Sequence, residues 1–347
     1  MLSSQGIEPS ASVLQELLNR HRTGELEDFN VTANHAPMVL IALYRLGADP
    51  DQLRQYYARV ETGRPVSEMG ALQAQRIDRG TWTKYLGTFS AWSSYRQFFQ
   101  AEIGKHGVQE VLVSYVPSLM RGVAGHAFHP LLRVGYGIEL NDKNEIAFGL
   151  AYWASAYLPA PEIPKTKSRV EPARLLNVLE NSKLLRGVKP HGQSIARRIG
   201  QFYEHEEFRR LLRPIELDST RPLDAIAQAI AGAFGGHHHF TMLHGVTSCH
   251  AIRMILPYCE NQEDVLSMYW FSVCAAYLSV INVPDGPHHP LPDREADWPR
   301  IQRDAIATGN EHTIKLAYTC LKEAEEYHNV NYPGFALREI DISAPFV

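Results

Sequence analysis

Residues 309–326 have the sequence G-N-E-H-T-I-K-L-A-Y-T-C-L-K-E-A-E-E. Apolar residues recur every three or four positions and charged residues fill the remainder, which is the pattern of an amphipathic helix. His312 and Lys315 stand three apart near its start, so their side chains project from neighbouring turns of one face. Thr319 and Cys320 continue that face. The stretch therefore predicts a helix on which a histidine and a lysine lie beside an apolar stripe.

A lysine beside an apolar stripe has three possible states. It extends its ammonium group to water, it loses its proton because it is buried, or it takes part in chemistry. The stretch alone favours a simpler interpretation, in which His312 and Lys315 are ordinary first-turn residues of a surface helix. A functional interpretation needs support from the rest of the chain.

The size and charge of the chain restrict its class. Its 347 residues, 45% of them apolar, suffice for one large or two ordinary globular domains. The net charge of -4 provides no basic field for a phosphate backbone, so no nucleic-acid partner is expected. The first twelve residues lack the features of a secretory signal, and the longest apolar run, Tyr269–Val283, is shorter than the roughly 20 residues of a membrane span. We predict a cytoplasmic protein with no membrane partner.

Apolar periodicity predicts an all-α fold. Apolar residues recur at three and four positions, strand signals are few, and the predicted helices have the length of bundle helices. We predict one large, bundle-like helical domain over 1–347, in which the breaker-rich residues 159–170 divide two helical halves. Residues 173–213 are predicted to form two charged, peripheral helices, and the tail from residue 331 is predicted to be irregular.

Histidines provide the candidate metal ligands. The chain has sixteen, several of them clustered, whereas its four cysteines contain no C-x-x-C pair and indicate neither a zinc ribbon nor a disulfide framework. His35 lies at the predicted start of a helix, where a capping role and a ligand role are equally compatible with the sequence. His126 and His129 lie three apart in an apolar run, which is harder to explain by burial alone. His244 is favoured over His250, which lies six residues further on and faces elsewhere.

Four motifs carry a family resemblance. They are N-H-A-P-M-V-L-I-A-L-Y-R-L-G-A from residue 34, H-P-L-L-R-V-G-Y-G-I-E from residue 129, M-L-H-G-V-T from residue 242 and N-E-H-T-I-K-L from residue 310. With them the chain resembles the questin oxidase-like family of fungal and bacterial oxygenases. The resemblance implies an all-helical, iron-dependent oxidoreductase that uses O2 to cleave a ring in an aromatic polyketide. Members have also been described as NADPH-dependent Baeyer–Villiger oxidases, and no flavin or nicotinamide motif is visible in the chain.

The resemblance also implies a ligand set. The family holds non-haem Fe(II) in a buried site through histidines and a lysine carboxylated on its amino group. In the matching motifs the corresponding residues are His35, His129, His244, His312 and Lys315. An ammonium group cannot bind a cation, whereas a lysine carbamate presents oxygen atoms that suit a hard metal.

Two further residues of the second motif are candidate catalytic residues. Tyr136 and Glu139 follow His129 on the same predicted helix, where they would orient its other ring nitrogen or meet the substrate. The motif departs from the fungal pattern at Arg133, which stands where fungal members carry a second histidine.

Three functions are compatible with the sequence. The first is an oxygenase that acts on an aromatic substrate with O2 and Fe(II). The second is a hydrolase in which the same ligands hold zinc or manganese and activate water. The third is a helical scaffold or small-molecule-binding protein whose histidines are structural.

Overall fold

The all-α prediction is confirmed. The computed structural model describes residues 7–24, 34–62, 75–218, 220–236, 238–281, 289–292, 295–327 and 331–343. Within these ranges the chain forms sixteen α-helices and five short 3-10 helices. The β structure of the described residues is limited to one isolated parallel bridge between Val170 and Ile215.

In chain order the helices are α1 (Ile7–Gly24), α2 (Ala36–Leu46), α3 (Pro50–Thr62), α4 (Trp92–Leu119), α5 (His129–Leu140), α6 (Lys143–Ser155), α7 (Pro172–Glu180), α8 (Lys183–Arg186), α9 (Ile195–Glu204), α10 (Glu206–Leu211), α11 (Asp224–Gly236), α12 (Phe240–Ile255), α13 (Gln262–Ile281), α14 (Trp298–Thr308), α15 (Glu311–Tyr327) and α16 (Asn331–Ser343).

The helices belong to two compact units. Unit 1 comprises Met1–Leu72 and His289–Val347, and unit 2 comprises Gln73–His288. The breaker-rich residues 159–170 contain no helix, as predicted, and they lie within unit 2. The single-domain organisation stays a prediction.

Unit 1 brings together the two helices that carry its candidate residues. Helix α2 packs on α15. It has Pro37 in its first turn, where the missing N–H costs no hydrogen bond, and it ends at Gly47 with a φ of 92°. Gly309, with a φ of 60°, separates α14 from α15 and allows the sharp change of direction that brings α15 back.

The prediction of an irregular tail is wrong, because residues 331–343 form α16. Pro333 lies in the first turn, where proline is tolerated, so it does not prevent the helix. Tyr332, Phe335 and Ile340 are buried, and the helix packs on α14 and α15. The tertiary contacts of these apolar side chains stabilise a helix although the pair Pro333 and Gly334 locally disfavours one. Residues 344–347 lie outside the described residues.

Unit 2 is built around α5, which packs between α6 and α12. A Cβ atom at Gly135 would lie 2.9 Å from Cβ of Ala251 on α12, and one at Gly137 would lie 2.9 Å from the backbone nitrogen of Ile146 on α6. Glycine at these positions therefore permits close helix packing on both sides. The G-Y-G element of the motif has this structural explanation.

The prediction of two peripheral helices over residues 173–213 is also wrong. The segment forms four short helices, α7 to α10. Ser182 and Ser194 accept hydrogen bonds from main-chain N–H groups at the starts of α8 and α9, which sets these starts. Helix α9 packs on α13 through buried residues that include Ile199 and Phe202, so it belongs to the core of unit 2.

Helix α13 is the most apolar long helix among the described residues. By length and hydropathy it meets the requirement for crossing a membrane, and 89% of its apolar window is buried inside the structure. A core helix satisfies the same criterion. All four cysteines are buried and none forms a disulfide bond.

Candidate functional site

In unit 1, the structure brings His35 and His312 together. His35 is the residue before the first turn of α2, and His312 lies in the first turn of α15. Their ring centroids are 4.7 Å apart and the rings are perpendicular. Because α2 and α15 pack on each other, the two imidazoles converge although 277 positions separate them in the sequence. We call His35 and His312 the α2–α15 pair.

A carboxylate orients one member of this pair. Glu311 Oε2 lies 2.5 Å from Nδ1 of His35, and Glu311 Oε1 accepts a 3.0 Å hydrogen bond from the Tyr56 hydroxyl. Burial raises the pKa of Glu311, but its hydrogen bond to His35, the nearby Lys315 amino group and the hydrogen bond from Tyr56 together lower the pKa below its usual value. An ionised carboxylate only accepts, so His35 Nδ1 carries the proton.

The pKa of His35 is lowered, first by burial and then by the nearby Lys315 charge, against the influence of Glu311. His35 is therefore a neutral imidazole with its lone pair on Nε2. A histidine whose second nitrogen donates to a carboxylate is the usual arrangement around bound metals.

Lys315 lies one turn after Glu311 on α15 and is only 1% exposed. Burial lowers the pKa of its amino group to about 7, although the Glu311 carboxylate acts in the opposite direction. Of the three states that the sequence allows, the structure excludes an ammonium group extended to water. A large fraction of Lys315 is a neutral amine near pH 7.

In unit 2, the structure brings His129 and His244 together. His129 begins α5 and His244 lies in the second turn of α12, with ring centroids 4.8 Å apart. Both residues are buried. We call them the α5–α12 pair.

Main-chain carbonyls fix the tautomers of this second pair. Nδ1 of His129 lies 2.5 Å from the carbonyl oxygen of His126, and Nδ1 of His244 lies 2.9 Å from that of Phe240. A carbonyl oxygen only accepts, so each Nδ1 must donate a proton. In the neutral rings Nε2 therefore carries the lone pair, and a lone pair is what binding to a metal requires.

The carbonyl that orients His129 lies in an unusual backbone segment. His126, Ala127 and Phe128 have φ values of 43°, 55° and 68° in succession. Each left-handed non-glycine residue costs roughly 1 kcal/mol or more, so the surrounding packing must maintain this conformation. His126 Nδ1 is itself 2.9 Å from the Tyr152 hydroxyl. The His126 side chain is thus held by Tyr152 while its carbonyl holds His129.

The two candidate catalytic residues lie on α5. Tyr136 is buried, two turns after His129. Glu139 Oε2 lies 3.3 Å from Nε2 of His250 on α12. Since the His126 carbonyl accepts the Nδ1 proton of His129, orientation of that nitrogen by Glu139 is not needed, and contact with the substrate stays the predicted role of Tyr136 and Glu139.

Arg133 has a structural partner. Its guanidinium forms a buried ion pair with Glu145 on α6, at 2.9 and 3.0 Å, and lies over the ring of Phe148 at 5.2 Å. Removing one partner of such a pair leaves an uncompensated buried charge, so Arg133 and Glu145 depend on each other. Arg133 therefore joins α5 to α6.

Four groups that orient the histidines were not among the predicted residues. Glu311 stood within the quoted motif, and its position directly before His312 and four before Lys315 placed it on the same face, so the spacing rule used for that pair could have identified it. Tyr56 had no sequence signal, because only the packing of unit 1 brings it to Glu311. The carbonyls of His126 and Phe240 are main-chain groups and have no sequence signal either.

Comparison with known proteins identifies the family. A model of the family described as questin oxidase-like matches residues 32–320, which include all five predicted ligands. The chain belongs to the questin oxidase-like family. The predicted resemblance is confirmed.

Individual relatives are fungal enzymes. The chain is 27% identical over 165 residues to Baeyer-Villiger monooxygenase AacuH of Aspergillus aculeatus, an alignment that covers 44% of this chain and 34% of that protein. It is 25% identical over 253 residues to oxidoreductase AflY of Aspergillus parasiticus, covering 62% of this chain and 50% of that protein. It is 28% identical over 138 residues to Baeyer-Villiger monooxygenase dmxR6 of a Cryptosporiopsis species, covering 37% and 31%. The chain spans between about a third and half of these curated relatives.

Proposed function

We propose that this protein is an Fe(II)-dependent oxidoreductase that uses O2 to oxidise, and to cleave a ring in, an aromatic or polyketide-like substrate. The proposal combines family membership with the chemistry of the histidines. The candidate ligands are those that the family resemblance implies, namely His35, His129, His244, His312 and Lys315.

One observation carries the proposal. The two buried rings of the α5–α12 pair lie 4.8 Å apart, and main-chain carbonyls accept both Nδ1 protons. Two neutral imidazoles held in this tautomer suit Fe(II), Zn²⁺ or Mn²⁺, so the donor set fits a metal. In a purely structural role, one hydrogen bond from each ring is enough. Here both rings have the tautomer with the lone pair on Nε2 and lie next to each other, which favours binding of a metal.

Lys315 has the environment that carboxylation requires. A neutral amine attacks CO2, forms an N–C bond and releases one proton, which yields a carbamate with one negative charge. Burial and a pKa of about 7 favour the neutral amine. The product would lie one turn from the Glu311 carboxylate, and like charges at that distance repel. We therefore propose that carboxylation of Lys315 is stable only when a cation is also bound.

The overall reaction determines which co-reactants are needed. Bound Fe(II) would supply activation of O2. If the reaction is of the Baeyer–Villiger type, one oxygen atom enters a carbon–carbon bond beside a carbonyl and the other leaves as water, so two electrons must come from a donor. NADPH is the proposed donor. If both oxygen atoms enter the substrate, no donor is needed.

Protein side chains would handle the protons. Tyr136 is proposed to meet the substrate as a hydrogen-bond donor, because its phenol group lies on the same helix as His129. Glu139, 3.3 Å from His250 Nε2, can pass a proton to or from that ring. His129, Tyr136 and Glu139 belong to α5, and His250 belongs to α12.

The direct test is oxygen consumption. Iron-loaded protein with 1,8-dihydroxyanthraquinone, with and without NADPH, is expected to consume O2 and to lose the substrate chromophore. His244→Ala is expected to lower the rate at least 100-fold, while His106→Ala, a substitution on the partly exposed face of α4, leaves it unchanged. Loss of the substrate at the same rate without O2 would favour the hydrolase, because hydrolysis needs no oxygen. The proposal would be contradicted if the protein converted neither this compound nor any related aromatic compound.

A further inference from the structure

A cleft of about 620 Å³ opens in unit 2 beside the segment that orients His129. One wall is the face of α9 that carries Arg197, Gln201 and Glu204, and the opposite wall includes Phe89 and His126. None of these side chains has a role in the ligand set. The cleft is therefore distinct from the candidate ligands, although the His126 main chain connects it to His129.

Aromatic rings form a platform in this cleft. The rings of Phe89 and His126 stack with centroids 5.4 Å apart and an angle of 26° between their planes. The Tyr152 hydroxyl fixes the His126 ring at Nδ1. Tyr157 also lines the cleft, and its ring occupies the space that any side chain at Gly122 would fill. A stacked, held pair of rings is a suitable surface for another flat ring.

The wall formed by α9 carries a positive charge at one end and a negative charge at the other. Arg197 lies near the N-terminus of α9 and Glu204 is its last residue, so seven residues of helix separate them by about 10 Å. The partial positive charge of the helix N-terminus adds to that of Arg197. Gln201, between them, uses its amide to hold the main chain of His191 at 2.6 and 3.1 Å, which fixes the loop at the positive end. The cleft thus has a cationic end, an anionic end and an aromatic platform.

We infer that this cleft binds a flat aromatic molecule of two or three rings that has an acidic oxygen at one end and a hydroxyl at the other. Arg197 recognises the acidic oxygen, Glu204 accepts from the hydroxyl, and the Phe89–His126 platform stacks on the rings. The length of such a molecule, about 10 Å, matches the separation of the two charges along α9. The inference rests on the proposed function for the aromatic character of the ligand, and it adds a binding place that Tyr136 and Glu139 do not line, with the residues that select the ligand there.

Three probes of one shape test the inference on metal-free protein by isothermal titration calorimetry. 6-Hydroxy-2-naphthoate has both end groups, its methyl ester lacks the anion, and 2-naphthoate lacks the hydroxyl. The wild-type protein is expected to bind the first probe about tenfold more tightly than the ester, since a charge-assisted hydrogen bond is lost. It is expected to prefer the first probe to 2-naphthoate by about threefold.

Substitutions assign each preference to one residue. Arg197→Gln is expected to abolish the preference for the acid over the ester, and Glu204→Gln to reduce the preference for the hydroxyl. Phe89→Leu weakens all three probes about fivefold, because the stacking face is lost while apolar volume remains. Arg174→Gln on the exposed face of α7 makes the same charge change away from the cleft and should leave all affinities unchanged.

Two results would overturn the inference: the three probes bind equally, or Arg197→Gln and Phe89→Leu behave as Arg174→Gln does. His129→Ala in the metal-free protein is expected to bind the probes as the wild type does, so probe binding is independent of the metal. If the probes bind as expected and no aromatic substrate supports O2 consumption, the proposed function fails while the cleft assignment stands. If O2 is consumed and the probes do not discriminate, only the cleft assignment fails.

Discussion

The two histidine pairs are oriented by different acceptors. In the α2–α15 pair, the Glu311 carboxylate accepts the proton of His35, whereas in the α5–α12 pair main-chain carbonyls accept the protons of both rings. A carboxylate carries charge and can be removed by one substitution. A carbonyl cannot be removed by any side-chain change. The first pair should therefore respond to substitution and pH, and the second to changes of backbone conformation.

Glu311→Gln should have the largest effect on the α2–α15 pair. The variant keeps a hydrogen-bonding group but loses the charge that holds His35, so affinity for Fe(II) should fall by roughly 10- to 100-fold. Anaerobic competition with a chelator measures this change. Glu325→Gln on the same helix, where the carboxylate contacts Lys322 at the surface, is the matched control. Equal Fe(II) affinities of Glu311→Gln and Glu325→Gln would show that the Glu311 charge does not contribute to metal binding.

Lys315→Met should change the pH dependence of stability. The amino group has a pKa of about 7 in the folded protein and an ordinary value of 10.5 when unfolded. Between these values the unfolded chain binds more protons, so the folded state gains stability as pH rises. Relative to the variant, the metal-free wild type should gain about 2 kcal/mol between pH 7 and 9 in CO2-free buffer.

Urea unfolding at several pH values measures this difference for Lys315. Comparing wild type with variant cancels the contribution of the buried cysteines, whose raised pKa values act in the opposite direction above their ordinary range. Lys322→Met, at a partly exposed position of the same helix, should reproduce the wild-type pH profile. If the free energy of unfolding changed with pH in the same way for the wild type and for Lys315→Met, the pKa of the Lys315 amino group would not be lowered in the folded protein.

Ala127 tests the backbone that orients the α5–α12 pair. With a φ of 55°, this residue disfavours β-branched side chains, so Ala127→Val should lower the free energy of unfolding by about 1 to 2 kcal/mol. Ala127→Gly should change it by less than about 0.5 kcal/mol, since relief of strain offsets the lost methyl group. At exposed Ala101 on α4 the order should reverse, with glycine the more harmful change. The same order at both positions would contradict the left-handed conformation.

Tyr56→Phe should have the smallest effect. It removes one of the hydrogen bonds that Glu311 accepts and leaves the bond to His35 intact. Fe(II) affinity should fall about threefold, in keeping with roughly 0.5 to 1 kcal/mol for one such bond. Tyr44→Phe on α2 provides a control in which no bond to Glu311 is lost. A loss as large as that of Glu311→Gln would contradict this order and would mean that the hydrogen bond from Tyr56 is as important as the Glu311 charge for positioning His35.

The sequence was sufficient for the helical class and for the residues that converge. The spacing of His312 and Lys315 predicted that both side chains lie on one face of one helix, and both residues belong to α15. Convergence of His35 with His312, and of His129 with His244, follows from contacts distant in sequence, so family resemblance and not periodicity indicated it. The orienting groups were largely beyond prediction, because two are carbonyls and Tyr56 depends on tertiary packing. Helix α16 was missed because burial of Phe335 and Ile340 outweighs the local signal of Pro333 and Gly334.

Iron content tests the central claim most directly. Wild-type protein loaded anaerobically with Fe(II) and desalted is expected to retain about one equivalent, while His129→Ala and Lys315→Ala lose it, with each variant checked for native circular dichroism. A mass increase of about 44 Da on the Lys315 peptide of the loaded wild type, measured under native conditions, would identify the carbamate. Full iron retention by both variants, or less than about a tenth of an equivalent in the wild type, would contradict the account and favour structural histidines.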